Sequence, residues 1–310
     1  MTTSGLPFDD IRNLARQLPS LDGMGGQGGM DGLQALAAWL AAVRGHAPAR
    51  VTRPVVALFA GTHAVVRHQG IEEPAAAVRA GVEAIAAGAA PISHLCAAGG
   101  LGLNVFDLAL DVPVGDITEE AALNERDAAA TMAFGMEAVA LGADLLCLGA
   151  VGGSSDLPAK AVLSALGGIE GEAWGEDGVL IGKALRHHAG HLADPLEALR
   201  RLGGREIAAL AGAILAARTQ KVAVLLDGLP AMAAAAVLHA LNPASLAHCR
   251  VADVHGEPHG QVAARLGLPP LLALGAGGHD GTGAALAAGL MKAAGEVAFG
   301  MAEVKRRRAG

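Results

Sequence analysis

Six short, nearly unbroken apolar runs recur along the chain, at residues 55–60, 103–108, 144–148, 222–226, 249–252 and 271–274, each closed by Gly or Asp. A strand covered on one face alternates apolar and polar residues, whereas a strand covered on both faces does not need to. The runs therefore predict strands buried inside a parallel sheet. Between them lie longer Ala-rich segments with helical spacing, notably 75–98, 119–141, 205–218 and 232–241. Alanine has the highest helix propensity, and its small side chain lets helices pack close on a sheet. Strand and helix in alternation predict an α/β fold: an open, mainly parallel, Rossmann-like sheet with right-handed crossovers and helices on both faces. Two regions stand outside the alternation. Residues 1–44 read as a helix, a Gly-rich stretch (23–32) and a second helix near 33–43, and residues after Gly283 read as one long helix. The expected division is a large α/β domain at 45–284, with 1–44 and 285–310 forming a small helical lobe. No internal repeat is evident.

The composition narrows this picture. The chain has 310 residues, 52% hydrophobic, 17% charged and 2% aromatic, with 44 Gly and no Tyr. So many apolar residues exclude disorder as the main state, and the core must be Ala, Val, Leu and Ile. The net charge of −7 leaves no basic face for nucleic acid, and Lys305-Arg306-Arg307-Arg308 reads as a solvated tail. Three Cys, none in a CxxC pair, read as thiols in a reducing compartment. The first twenty residues carry Asp9, Asp10, Arg12 and Arg16 and no apolar core, unlike a signal peptide. The long uncharged stretch 229–249 is too weakly hydrophobic to span a bilayer. These features give the expectation of a soluble cytoplasmic protein with no membrane or nucleic-acid partner.

In an open parallel sheet, ligands bind at the carboxyl ends of the strands. The informative residues are those just after each run. Gly149-Ala150-Val151-Gly152-Gly153-Ser154-Ser155 follows one run and leads into a predicted helix near 159–166. Such a turn offers backbone N–H groups to a phosphate, though an ordinary strand-to-helix turn looks the same. Gly278-His279-Asp280-Gly281-Thr282-Gly283 precedes the last helix. There Asp280 either faces a ligand or caps that helix. Residues 23–28 match G-x-G-x-x-G without a preceding strand, a chance match. Residues 178–183 fall one residue short of a P-loop and lack its Ser/Thr. His187 and His191 have a spacing that could hold a metal, and Cys249, His255 and His259 form a loose group, but neither set matches a known metal motif. No metal and no cofactor are expected.

Several segments, in order, resemble the nicotinate-nucleotide–dimethylbenzimidazole phosphoribosyltransferases over residues 33–304. Leu36-Ala37-Ala38-Trp39-Leu40-Ala41, Phe59-Ala60-Gly61-Thr62-His63-Ala64-Val65 and Gly88-Ala89-Ala90-Pro91-Ile92 are similar to early segments of that family. The most specific are Asp194-Pro195-Leu196-Glu197-Ala198-Leu199 and the run 203–212, which opens Gly203-Gly204-Arg205-Glu206. Leu225-Leu226-Asp227-Gly228 and Gly281-Thr282-Gly283-Ala284-Ala285-Leu286 follow. The resemblance implies a Rossmann-like fold and a reaction that moves the ribose phosphate of nicotinate mononucleotide onto dimethylbenzimidazole or a similar base. It implies Asp280 as general base, where the family has Glu, and Lys183 as a second catalytic residue. It implies substrate contacts at His63, Gly152, Gly153, Ser154, Ser155, Gly203, Gly204, Asp227, Gly281, Thr282 and Gly283. A homodimer, or a heterodimer with a paralogue, follows from the same likeness. Other positions depart from the family: Thr62 stands for Asp and Ala150 for an acidic residue. The alternative reading is a catalytically degenerate homologue that binds nucleotide or acts as a regulatory partner of an active paralogue.

Overall fold

A computed structural model describes residues 7–19, 32–276, 278 and 280–309. The Gly-rich pattern at 23–28 lies outside the described residues, as does His279. The six predicted strands are present: β1 (Pro54–Ala60), β2 (Gly102–Asp107), β3 (Leu145–Val151), β4 (Ala223–Leu226), β5 (Cys249–Asp253) and β6 (Pro270–Leu272). All pairings are parallel, in the order β2-β1-β3-β4-β5-β6.

Successive residues of each central strand point to opposite faces, and both faces are covered. Val55, Ala57 and Phe59 enter one core, together with Leu146, Leu148, Val224 and Leu226. Val56, Leu58 and Ala60 enter the other, together with Leu145, Cys147, Ala223 and Leu225. The first core is covered by α1 (Pro7–Arg16), α5 (Glu125–Met136), α6 (Asp156–Gly167), α7 (Gly178–His188), α8 (Pro195–Leu202), α9 (Arg205–Thr219), α10 (Gly228–Leu241) and α11 (Gly256–Arg265). The second is covered by α2 (Gly32–Arg44), α3 (Pro74–Ala86), α4 (Pro91–Gly99) and α12 (Thr282–Ala309).

The helix α9 is buried on all sides, from Glu206 to Arg218. It can lie this deep because its contact with α5 is built on glycine. A Cβ on Gly135 would fall 1.9 Å from the Ala209 carbonyl oxygen, and one on Gly212 would fall 1.9 Å from that of Met132.

Three expectations change in detail. The Ala-rich segment 75–98 is two helices, because Gly88 takes φ +72 and Pro91 starts α4 as its first residue. The helix expected at 119–141 starts at Glu125, where the Asn124 side chain accepts from the Asp127 amide. Of the two chain ends assigned to one lobe, α2 and α12 do pack on each other and on the sheet. Yet α1 lies on the opposite face: its Phe8, Ile11 and Ala15 enter the core under α5 and α10.

Candidate active site

Parallel pairing puts the carboxyl ends of all six strands on one edge. From β1 the chain goes to β2 on one side and then returns to β3 on the other. The helix after β1 covers one face and the helix after β3 the other. The two loops therefore diverge and leave a crevice between them. They are Gly61-Thr62-His63 and Gly152-Gly153-Ser154-Ser155, and the Ser154 hydroxyl joins them by donating to the Gly61 carbonyl at 3.3 Å. Gly152 takes φ +85, which suits glycine alone, while Gly153 faces open space.

Beneath these loops sits a buried His–Glu pair. His63 and Glu206 are both 0% exposed, and His63 Nε2 faces Glu206 Oε1 at hydrogen-bond contact. Glu206 occupies the first turn of α9, where the helix dipole favours an anion. Burial opposes its ionisation. The His63 charge and hydrogen bond, helped by its own amide and the neighbouring Ser155 hydroxyl, outweigh that burial and hold its pKa below the ordinary carboxylate value. The pair leaves no room around it. A Cβ on Gly61 would lie 2.1 Å from Glu206 Oε2, and one on Gly204 would lie 2.2 Å from His63 Cε1.

The far end of the edge is organised by two aspartates. Asp253 is buried and accepts from the amides of Leu274, at 2.7 Å, and Ala276, at 2.6 Å, which fixes the loop after β6. Asp227, also buried, lies against the start of α12: a Cβ on Gly283 would fall 2.6 Å from its Oδ1. Gly281 (φ +86) packs on Val56 and Leu58. Asp280 caps this helix start through Oδ1, which accepts from the Thr282 amide at 3.0 Å. Among the described residues, buried polar atoms without a hydrogen-bond partner include His63 Nδ1 and Thr282 Oγ1, both on this edge.

A cavity of about 300 Å³ opens beside the glycine turn after β3, lined by Asp156, Lys160, Trp174, Leu229, His255 and His259. Lys160 is paired there with Asp177 at 2.7 Å. Among the described residues no cluster of His, Cys, Asp and Glu could hold a metal. His188 is instead buried, its ring bonded to the Ile117 carbonyl at 3.0 Å, and burial lowers its pKa.

This edge agrees with what the sequence is similar to. A family model described as "Phosphoribosyltransferase" matches residues 22–307. Nicotinate-nucleotide–dimethylbenzimidazole phosphoribosyltransferases from Rhizobium etli and Rhizobium meliloti are 51% and 52% identical to the chain, over 97% of it and 97% of each relative. The chain belongs to this family. The crystal structure of the same-named enzyme from Thermus thermophilus superposes with a TM-score of 0.78 at 28% identity, covering 94% of this chain and 95% of that one. A second Thermus structure, of CobT, gives 0.76 at 26%, covering 94% of this chain and 96% of that one.

The residues expected to form the site in this phosphoribosyltransferase family fall into three groups. Gly152, Gly153, Ser154, Ser155, His63, Gly203 and Gly204 come together around the crevice. Of these, His63, Ser154 and Ser155 are buried, and His63 is bonded to Glu206. Asp227, Asp280, Gly281, Thr282 and Gly283 gather where α12 meets the ends of β4 and β5. Lys183 stands apart from both groups. It projects from the middle of α7, 48% exposed, with Nζ 3.5 Å from Glu119. Lys160 is the lysine beside the glycine turn. Glu206 was not among the expected residues, although a lone acid ahead of the apolar stretch 207–217 is a signal in itself.

Proposed function

We propose that the chain transfers the ribose phosphate of nicotinate mononucleotide to dimethylbenzimidazole or a similar base. The observation that carries this reading is the likeness to enzymes of that name, half-identical over nearly the full length of both chains. The carboxyl-edge geometry supports it. In this reading, the backbone of Gly152 to Ser155 at the start of α6 holds the phosphate, with Lys160 adding positive charge and Gly281 to Gly283 flanking the ribose. One azole nitrogen of the base attacks C1′. The N–C1′ bond forms as the bond to the pyridinium nitrogen breaks, and the electron pair neutralises the departing nicotinate ring. The centre inverts to an α-riboside. The proton on the other azole nitrogen passes to Asp280, whose carboxylate is placed by its hydrogen bond to the Thr282 amide. Lys183 is assigned an outer role, since its partner is Glu119. The protein is placed in the cytoplasm, as a dimer with a second copy or a paralogue.

The test is turnover with nicotinate mononucleotide and dimethylbenzimidazole, following nicotinate release and α-ribazole phosphate. The native chain forms product. Asp280→Ala loses roughly 10²–10⁴-fold in kcat while keeping its fold, the range expected for removal of a general base. Undiminished turnover in that variant removes Asp280 from the mechanism, and no product from the native chain refutes the reading.

A further inference from the structure

The loops at the ends of β1 and β3 rest on a hydrogen-bonded His–Glu pair that is wholly buried. His63 comes from the end of β1 and Glu206 from the start of α9, 143 residues later, and both are fully buried. Burying two such polar side chains is unfavourable, and an apolar pair of the same size would pack there at no such cost. What the pair does have is position. Its carboxylate lies against Gly61, whose carbonyl accepts from the Ser154 hydroxyl in the turn after β3 at 3.3 Å. Its imidazole lies against Gly204, in the turn before α9. His63 is further tied to the loop after β2 by its bridge with Val114, and Thr62 bonds the Leu110 carbonyl at 3.0 Å. Four loops thus converge on one buried pair.

We propose that His63 and Glu206 are positioning residues that set the Gly152–Ser155 and Gly203–Gly204 turns at the spacing needed to hold the ribose phosphate. The proposal rests on the transfer reading of the same site. The pair acts through Gly61, to which Ser154 is bonded, and through Gly204, and touches neither substrate. A hydrogen-bonded pair holds one contact geometry where an apolar pair would allow several. Binding of the nucleotide should therefore depend on the pair, and binding of the base should not.

The experiment compares the native chain with Glu206→Gln, His63→Gln and the double variant, measuring KM for each substrate, kcat and thermal unfolding. Each single variant is expected to raise KM for nicotinate mononucleotide roughly tenfold while KM for the base and kcat stay within about threefold. The double variant restores a matched neutral pair and recovers part of the loss. A purely structural role would lower the unfolding temperature and leave both KM values unchanged, and that result overturns the proposal, as does a loss confined to the base. Should the single variants fail to fold, Ser154→Ala removes only the hydroxyl that ties the turn after β3 to Gly61 above the carboxylate. It is expected to raise the nucleotide KM about threefold, and an unchanged KM again overturns the proposal. If the native chain makes no product, the transfer reading fails on its own. The pair is then judged by calorimetric titration with nicotinate mononucleotide: weaker binding in Glu206→Gln supports it, and equal binding, or none to either protein, overturns it.

Discussion

At the scale of single residues, burial decides protonation in several places. His248 is fully buried, with Nε2 2.9 Å from the Ile214 carbonyl, so Nε2 carries the proton and donates. Burial first, and the nearby Arg218 charge second, push its pKa down to about 3. Unfolding returns it to about 6.5. The folded chain then binds fewer protons than the unfolded chain below pH 6.5. Its stability from this group is complete above that pH and declines as the pH falls, until about 3. At about 1.4 kcal/mol per pH unit, His248 alone accounts for a loss of about 2 kcal/mol between pH 6.5 and 5. Urea unfolding at pH 7 and pH 5 checks this: His248→Gln should lose about 2 kcal/mol less than the native chain over that interval. Equal losses would mean that His248 titrates normally. Glycines matter at the same scale. Gly61 and Gly204 are glycines because His63 and Glu206 occupy the space a Cβ would need. That reason is invisible in the sequence, where Gly203-Gly204 reads only as part of a family motif. The buried acid of this pair is likewise hard to see from sequence, because a Glu in the first turn of a helix is ordinary until its burial is known.

At the scale of elements, the strands were legible and some helix boundaries were not. Doubly covered strands carry their own signature, since runs such as Val55-Val56-Ala57-Leu58-Phe59-Ala60 have no polar face to offer water. Alanine carries no such directional signal. In 75–98 it hides the break that Gly88 and Pro91 impose. The same small residues set how closely helices approach. The crossing of α5 and α9 is made of Gly135 and Gly212 backbone against carbonyl groups. Gly212→Ala gains helix propensity but drives a Cβ to 1.9 Å from the Met132 oxygen, so the helices must part. Overpacking of this kind costs about 1–3 kcal/mol. Thermal unfolding of the variant should show a lowered midpoint, together with weaker nucleotide binding, because Glu206 rides on α9. A midpoint at or above that of the native chain would contradict the close-approach account.

At the scale of the molecule, topology puts the chemistry where it is. The reversal of strand order between β1 and β3 sends the loops after these strands toward opposite faces at the carboxyl edge, the place where open α/β sheets bind ligands. The edge proposed for the site follows from the strands, because it lies at their carboxyl ends. The partner of each site residue was not readable, because Glu206, Lys160 and the Asp253 anchor are brought in by crossovers of many residues. The account turns on a nucleotide phosphate seated at the turn after β3, with its C1′ toward Asp280. A crystal structure with nicotinate mononucleotide bound tests this most directly. The account predicts phosphate oxygens within hydrogen-bond distance of the amides in residues 152–155, and the Asp280 carboxylate on the face of the ribose from which the base attacks. A nucleotide bound away from those amides, or an Asp280 turned from the ribose, would contradict it.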